Sequence, residues 1–182
     1  HTLSHSEQPL SCLDFSNHDA LKYISSKDSG YWESDLSTKD FEKAGDLRDG
    51  IFLEFAKPDN GKIAKLVVNG LNTGLGDFAF TKIFQLKGDN KLLWYQELEQ
   101  DSTERAKFKA WMMREGMLHV SVWQDGAWKE QRALLDVGPL IAKDQIALLN
   151  IENIQGKTLR VKLECTTDLW RIDQVSIDYS TD

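Results

Sequence analysis

From Asp77 to Gly116 the apolar residues recur every three or four positions, whereas on both sides of that stretch they alternate or run in short apolar blocks. Side chains repeat every 3.6 residues on a helix and every 2.0 on a strand, so one segment cannot serve both patterns. The two ends of the chain must therefore build a β body, and the middle must be set aside as helices.

The β pattern is specific in places. Ile51, Leu53 and Phe55 share one face of a strand, with Phe52 and Glu54 on the other. Pro58-Asp59-Asn60-Gly61 is a turn signal, and the Leu66-Val67-Val68 run within Ile63 to Asn69 predicts burial on both faces, near the middle of a sheet. Beyond the helical stretch, Leu118, Val120 and Val122 alternate with His119, Ser121 and Trp123. Asp125-Gly126 predicts a two-residue hairpin into Ala127 to Leu134. Gln145 to Ile151 reads as a further strand. Leu159, Val161, Leu163 and Cys165 are expected inward, with Arg160, Lys162 and Glu164 outward. In the last strand Trp170 and Ile172 are even-numbered, whereas Val175, Ile177 and Tyr179 are odd-numbered. One face holds both sets only if a residue is added, so a bulge is predicted near Asp173-Gln174. About seven strands at this spacing suit a sandwich or barrel.

Three helices are expected between these strands. Asp77 caps the first, carrying Phe80, Ile83 and Phe84 and stopped by Gly88. Asp89 caps the second, with Leu92, Tyr95 and Leu98 on one face. Asp101 and Glu104 form a capping box for the third, with Phe108, Trp111 and Met112 on one face and Gly116 at its end. The whole reads as one domain over residues 1–182, with 1–29 as a polar N-terminal segment and 77–116 as the helical insertion. A charged stretch runs from Thr38 to Asp49.

The formal net charge is −7, with acidic and basic residues mixed along the chain and no basic stripe, which argues against nucleic acid and anionic lipid as partners. No apolar run approaches the ~18–20 residues that span a bilayer. His1 to Leu10 is polar and shows no signal-peptide pattern; a chain that opens on His is expected to be a mature product or a piece of something longer. Cys12 and Cys165 either pair, tying the N-terminal segment to a late strand, or remain free thiols with Cys165 buried. No nucleophile elbow, phosphate loop, zinc spacing or kinase motif occurs, and His1, His5, His18 and His119 lack ligand spacing.

Three segments carry a resemblance. Tyr31-Trp32-Glu33-Ser34-Asp35, after a Ser-Lys-Asp-Ser-Gly turn, resembles the opening of discoidin-like domains. Gly50 to Asn69 resembles the paired strands that follow it. Lys157 to Ser180, with Trp170-Arg171-Ile172-Asp173-Gln174-Val175, resembles the closing strands of carbohydrate-binding modules of the galactose-binding-like superfamily. The chain as a whole also resembles an uncharacterised bacterial domain of surface-associated and lipoprotein contexts. The resemblance implies a mostly β, jelly-roll β-sandwich in a secreted, periplasmic or cell-surface setting, and implies no substrate. It also implies a structural Ca²⁺ at Asp173, with a second carboxylate from Asp49 or Glu54; the alternative is that Asp173 accepts backbone hydrogen bonds at the bulge. The insertion departs from the sugar-binding modules, and either covers the usual ligand face or builds a new one.

Candidate ligand residues follow. The hairpin sets Trp123 opposite Trp128 on a wet face with His119, Ser121 and Glu130, a platform for sugar rings or another flat apolar surface. The alternatives are a pair that only stabilises the hairpin, or one covered by the helices. Trp94 falls beside the Leu92-Tyr95-Leu98 stripe and is expected to be exposed for a ligand or partner, whereas Trp111 is expected to pack in the core, as are Trp32 and Trp170. The Asn69-Gly70-Leu71-Asn72-Thr73-Gly74 loop offers amides, Asn72 among them, to ligand hydroxyls, or is simply a turn. The expected function is a non-catalytic binding module for carbohydrate or another extracellular ligand at the bacterial cell surface. Second comes a protein-interaction module using the insertion, and third an enzyme of another type.

Overall fold

Among the described residues, strands far apart in sequence pair to give two five-stranded antiparallel sheets. The computed structural model describes residues 5–28, 30–34, 47–135 and 137–180. His1, Asp35 and residues 38–46 of the charged stretch lie outside the described residues. The elements are β1 (Ser6–Glu7), β2 (Ser11–Asp14), α1 (Leu21–Ile24), β3 (Trp32–Glu33), β4 (Arg48–Ala56), β5 (Ile63–Asn72), α2 (Leu75–Lys87), α3 (Lys91–Gln100), α4 (Ser102–Gly116), β6 (Leu118–Gln124), β7 (Ala127–Leu134), β8 (Lys143–Asn150), β9 (Thr158–Thr166) and β10 (Trp170–Asp178). Sheet A runs β1-β10-β5-β8, with β3 sharing β1's side of β10, and sheet B runs β2-β4-β9-β6-β7. The fold is mostly β, a two-sheet sandwich with a helical insertion between β5 and β6.

The inward faces are those the alternation predicts. Ile51, Leu53 and Phe55 of β4, Leu118, Val120 and Val122 of β6, and Leu159, Val161, Leu163 and Cys165 of β9 are fully buried against the inner face of sheet A. β5, flanked by β10 and β8, is buried from Ala64 to Asn72, as its apolar run requires. The bulge is present in β10: Ile172 pairs with Gly70 and Gln174 with Asn69, leaving Asp173 as the extra residue. Trp170 and Ile172 therefore point into the core together with Val175 and Ile177. The Asp125-Gly126 turn has φ of 54° and 80°, which fits the right-handed twist of the flanking strands.

The N-terminal segment is built into the body. β2 pairs with β4, β1 with Glu7 against Ile177, β3 with Trp32 against Ile172, and Ser25 bridges Gln174. Three short contacts thus cover the outer edge of β10, an edge that would otherwise recruit other chains. This was not visible in the weak periodicity of 1–29, because two-residue strands carry no pattern of their own.

The helices begin differently from the capping signals. α2 starts at Leu75, and Asp77 sits in its first turn rather than at the cap; Gly88, at φ 53°, ends it. Gly88–Asn90 forms a 3₁₀ turn and α3 follows from Lys91, so Asp89 caps nothing there. Asp101 does cap α4, accepting hydrogen bonds from the Thr103 and Glu104 N–H groups. The end of α4 is fastened to the sandwich: Trp170 Nε1 donates to the Gly116 carbonyl at 3.2 Å and Thr166 Oγ1 lies 2.9 Å from Glu115 Oε2.

Cys12 and Cys165 are buried thiols that form no disulfide. Cys12 pairs with Leu53 on one side of β4 and Cys165 with Asp49 on the other, four positions along the strand. At ~3.3 Å rise per residue that is about 13 Å, well beyond disulfide reach.

Candidate functional site

The insertion leaves and rejoins the sandwich at one end, after Asn72 and before Leu118. Trp123 lies at the other end of β6, and the register sets it directly opposite Trp128 across the hairpin. Their rings meet edge-on, with centroids 5.2 Å apart and planes at 69°. Both indoles are half-buried, and their ring contacts are to each other, Phe52, Arg160 and Lys162.

The pair belongs to a longer row. Phe52 of β4 stacks on Trp128 at 5.4 Å, and Phe15, just after β2, stacks on Phe52 at 4.9 Å. Alternation turns Phe52 outward because Ile51 and Leu53 point in, and pairing of β4 with β9 and β9 with β6 lines the outward positions up across the sheet. Arg160 of β9 lies over both indoles, 5.1 Å from the Trp123 centroid and 5.6 Å from that of Trp128, and Lys162 stands 5.9 Å from Trp128. Guanidinium over indole is a favourable cation–π arrangement. Glu54 lies 3.7 Å from Arg160, and Lys162 pairs with Glu164 at 2.7 Å. His119 Nδ1 lies 3.1 Å from Glu130 Oε1. The outer face of sheet B is thus an aromatic row bordered by hydrogen-bonding charges of both signs. The pattern of β4 and β9 placed Phe52 and Arg160 outward; that they reach the tryptophans depends on registers no local pattern reveals, and Phe15 lay in the segment with weakest periodicity.

The other candidate residues are placed elsewhere. Trp94 is not the exposed ring of α3. It is half-buried and packs edge-on against Phe84 at 6.0 Å and Phe108 at 5.2 Å, whereas Leu92 and Tyr95 are exposed. The inward stripe of α3 is Trp94 with Leu98 at i, i+4, because α2 and α4 both meet that side and the largest ring fills the space between them. Trp111 is not core: it is 37% exposed and lines an open cavity with Phe80. Asn72 belongs to β5 rather than to an open loop; it is 2% exposed and its Oδ1 accepts the Val137 N–H at 2.8 Å, so it holds a loop in place. Trp32 and Trp170 are core anchors.

Asp173 is buried at the bulge and accepts the Asp28 N–H at 3.3 Å. Asp49 and Glu54 sit on sheet B, Asp49 bonding the Gly50 N–H and Glu54 facing Arg160. Among the described residues no group of three or more His, Cys, Asp or Glu gathers as a metal site. Asp173 lies on sheet A, whereas Asp49 and Glu54 lie on sheet B.

A second, polar cleft of about 560 Å³ lies beside β3, where Tyr23, Tyr31 and His18 meet Asp14, Asp49 and Asp168. Asp14 spends its carboxylate on the Ser16 and His18 N–H groups and the His18 ring. No helix among the described residues is long and apolar enough to cross a membrane.

No family model matches the chain, and no curated protein matches it in sequence. Among solved structures it is similar to a carbohydrate-binding module determined in complex with β-1,4-galactotriose, at 9% identity and a TM-score of 0.35, over 74% of this chain and 66% of that one, just under two thirds of the module's length.

Proposed function

We propose that the protein is a non-catalytic carbohydrate-binding module of the galactose-binding-like kind, acting outside the cytoplasm, and that the glycan lies on the outer face of sheet B. A sugar ring has apolar C–H faces and a rim of hydroxyls. It needs an apolar strip with donors and acceptors at its margin. The single observation carrying this reading is the continuous, partly exposed row Phe15, Phe52, Trp128 and Trp123. Arg160, Lys162 and Glu54 supply hydrogen-bonding groups beside it. The test is a glycan array with the whole chain, followed by calorimetry on any hit. Binding that falls at least about tenfold in Trp123→Ala, with melting retained, supports the reading. No glycan bound, or binding that Trp123→Ala leaves intact, overturns it.

A second reading, a protein-interaction module, is favoured by the insertion surface. None of its three α-helices holds a fully buried residue, and Leu86, Leu92 and Leu93 are 87%, 69% and 57% exposed. Concentration-dependent association that Leu92→Asp abolishes supports it; a monomer that captures no partner refutes it.

A further inference from the structure

Between α2, the end of α4 and the β9–β10 turn the fold leaves an open cavity of about 420 Å³. Leu75, Ala79 and Phe80 line it from α2, Trp111 and Met112 from α4, and Leu169 from the turn. Phe80 and Trp111 meet edge-on at 6.4 Å, and methionine beside them adapts its shape to whatever is bound.

Water fills such a space poorly. Its wall is mostly apolar, so water lying against it finds few partners other than more water. The polar side chains on its wall are Arg114, Glu115 and Thr166, and these largely satisfy one another: Thr166 Oγ1 lies 2.9 Å from Glu115, and Arg114 Nε donates to Glu115 at 2.6 Å. Burial by itself raises the Glu115 pKa, but Thr166, Arg114 and Arg48 outweigh it and hold the carboxyl lowered and charged. An apolar body replacing badly bonded water is favoured. The volume falls in the ~300–1,000 Å³ range of small-molecule pockets, whereas a protein partner needs about 800 Å² of surface on each side.

We propose that this cavity binds a small apolar molecule with an aromatic or acyl body, its polar end directed to the exposed Arg114 at the mouth. The site is separate from the aromatic row on sheet B, and the proposal does not rest on glycan binding there.

The test is calorimetric titration of the whole chain with 2-naphthoate and, separately, with decanoate. Saturable one-to-one binding of either probe is expected, weakened at least about tenfold by Ala79→Phe, which places a ring in the cavity. Naphthoate alone identifies an aromatic source, and decanoate alone an acyl source. Met112→Trp fills the space from the opposite helix and serves if Ala79→Phe fails to fold. Neither probe binding below about 1 mM, or equal binding by the filled variants, overturns the proposal. It also fails if sedimentation shows self-association that the filled variants dissolve while no probe binds, because the occupant is then a second copy.

Discussion

Gln131 Nε2 donates to the Asn150 carbonyl at 2.9 Å while its Oε1 accepts the Asn150 N–H at 2.6 Å. A side-chain amide thus takes the place of one rung of a β ladder, between β7 at the edge of sheet B and β8 at the edge of sheet A. Gln131 is free to do this because the β6–β7 register shifts: Val120 pairs with Arg132 and Ser121 with Glu130, leaving Gln131 unpaired on its own sheet. Gln145 repeats the device, donating to the Leu135 carbonyl at 2.9 Å and accepting its N–H at 3.1 Å. Gln131→Ala should cost about 1 kcal/mol, two solvent-exposed hydrogen bonds at the low end of their range. The Asn150 amide should then exchange faster, while the amides of the β4–β9 ladder keep their protection; unchanged exchange at Asn150 would show that the seam does not depend on Gln131.

Gly50 lies where β4 crosses closest to its neighbours. A Cβ there would collide with the Leu163 carbonyl oxygen and approach the Phe15 ring at 2.8 Å. The obstacle is partly backbone, so it cannot swing aside. Gly50→Ala should destabilise by about 1–3 kcal/mol, the usual range for forcing atoms into a packed site, and should disturb the Phe15–Phe52 stack. Chemical denaturation measures the first effect and aromatic NMR shifts the second. A wild-type midpoint would contradict the close approach.

Burial pushes the Cys12 thiol up from 9.0 to about 12, with Asp19 and Asp14 adding to the shift. Burial also raises the Tyr179 phenol, with a contribution from Glu7; its hydroxyl donates to the Ala56 carbonyl at 2.6 Å. Both groups hold their protons more tightly folded than unfolded. Their contribution is therefore complete below the unfolded pKa values, near 9 for the thiol and 10 for the phenol, and is lost as pH rises from there toward the folded values. Stability should fall above pH ~9, each group contributing a slope of up to about 1.4 kcal/mol per pH unit. Cys12→Ser should flatten the first part of that fall. In native buffer at neutral pH neither thiol should react with a thiol reagent, and oxidation should give no internal disulfide; rapid labelling would refute the burial.

Trp123 and Trp128 share an edge-on contact, so their truncations should not add. A double-mutant cycle of Trp123→Ala and Trp128→Ala should give a coupling of about 0.5–1.5 kcal/mol. Trp128→Ala should be the costlier single change, because it also removes the Phe52 stack. Additive losses would mean that the rings are independent in solution.

Local patterns carried much of this fold. Alternation identified the inward residues of β4, β6 and β9, the parity break in β10 predicted a bulge near Asp173-Gln174, and Asp125-Gly126 marked the hairpin that sets Trp123 against Trp128. Where the pattern was short or ambiguous it misled. In α3 the sequence offers both Leu92-Tyr95-Leu98 and Trp94-Leu98 as apolar stripes, and only packing against α2 and α4 chose the second.

What the chain alone determined is whatever depends on neighbours in sequence: the type of the longer elements, the inward faces of the long strands, turn chemistry and the cap at Asp101, since backbone sterics and side-chain period act over a few residues. Tertiary structure decided the rest. The row that joins Phe15, Phe52, Trp128 and Trp123, the burial of Asn72, the separation of the two thiols and the cavity beneath α2 all depend on how distant strands pair and where the insertion settles. A strand's registers are selected by all its partners together, and that competition leaves no mark on any single segment.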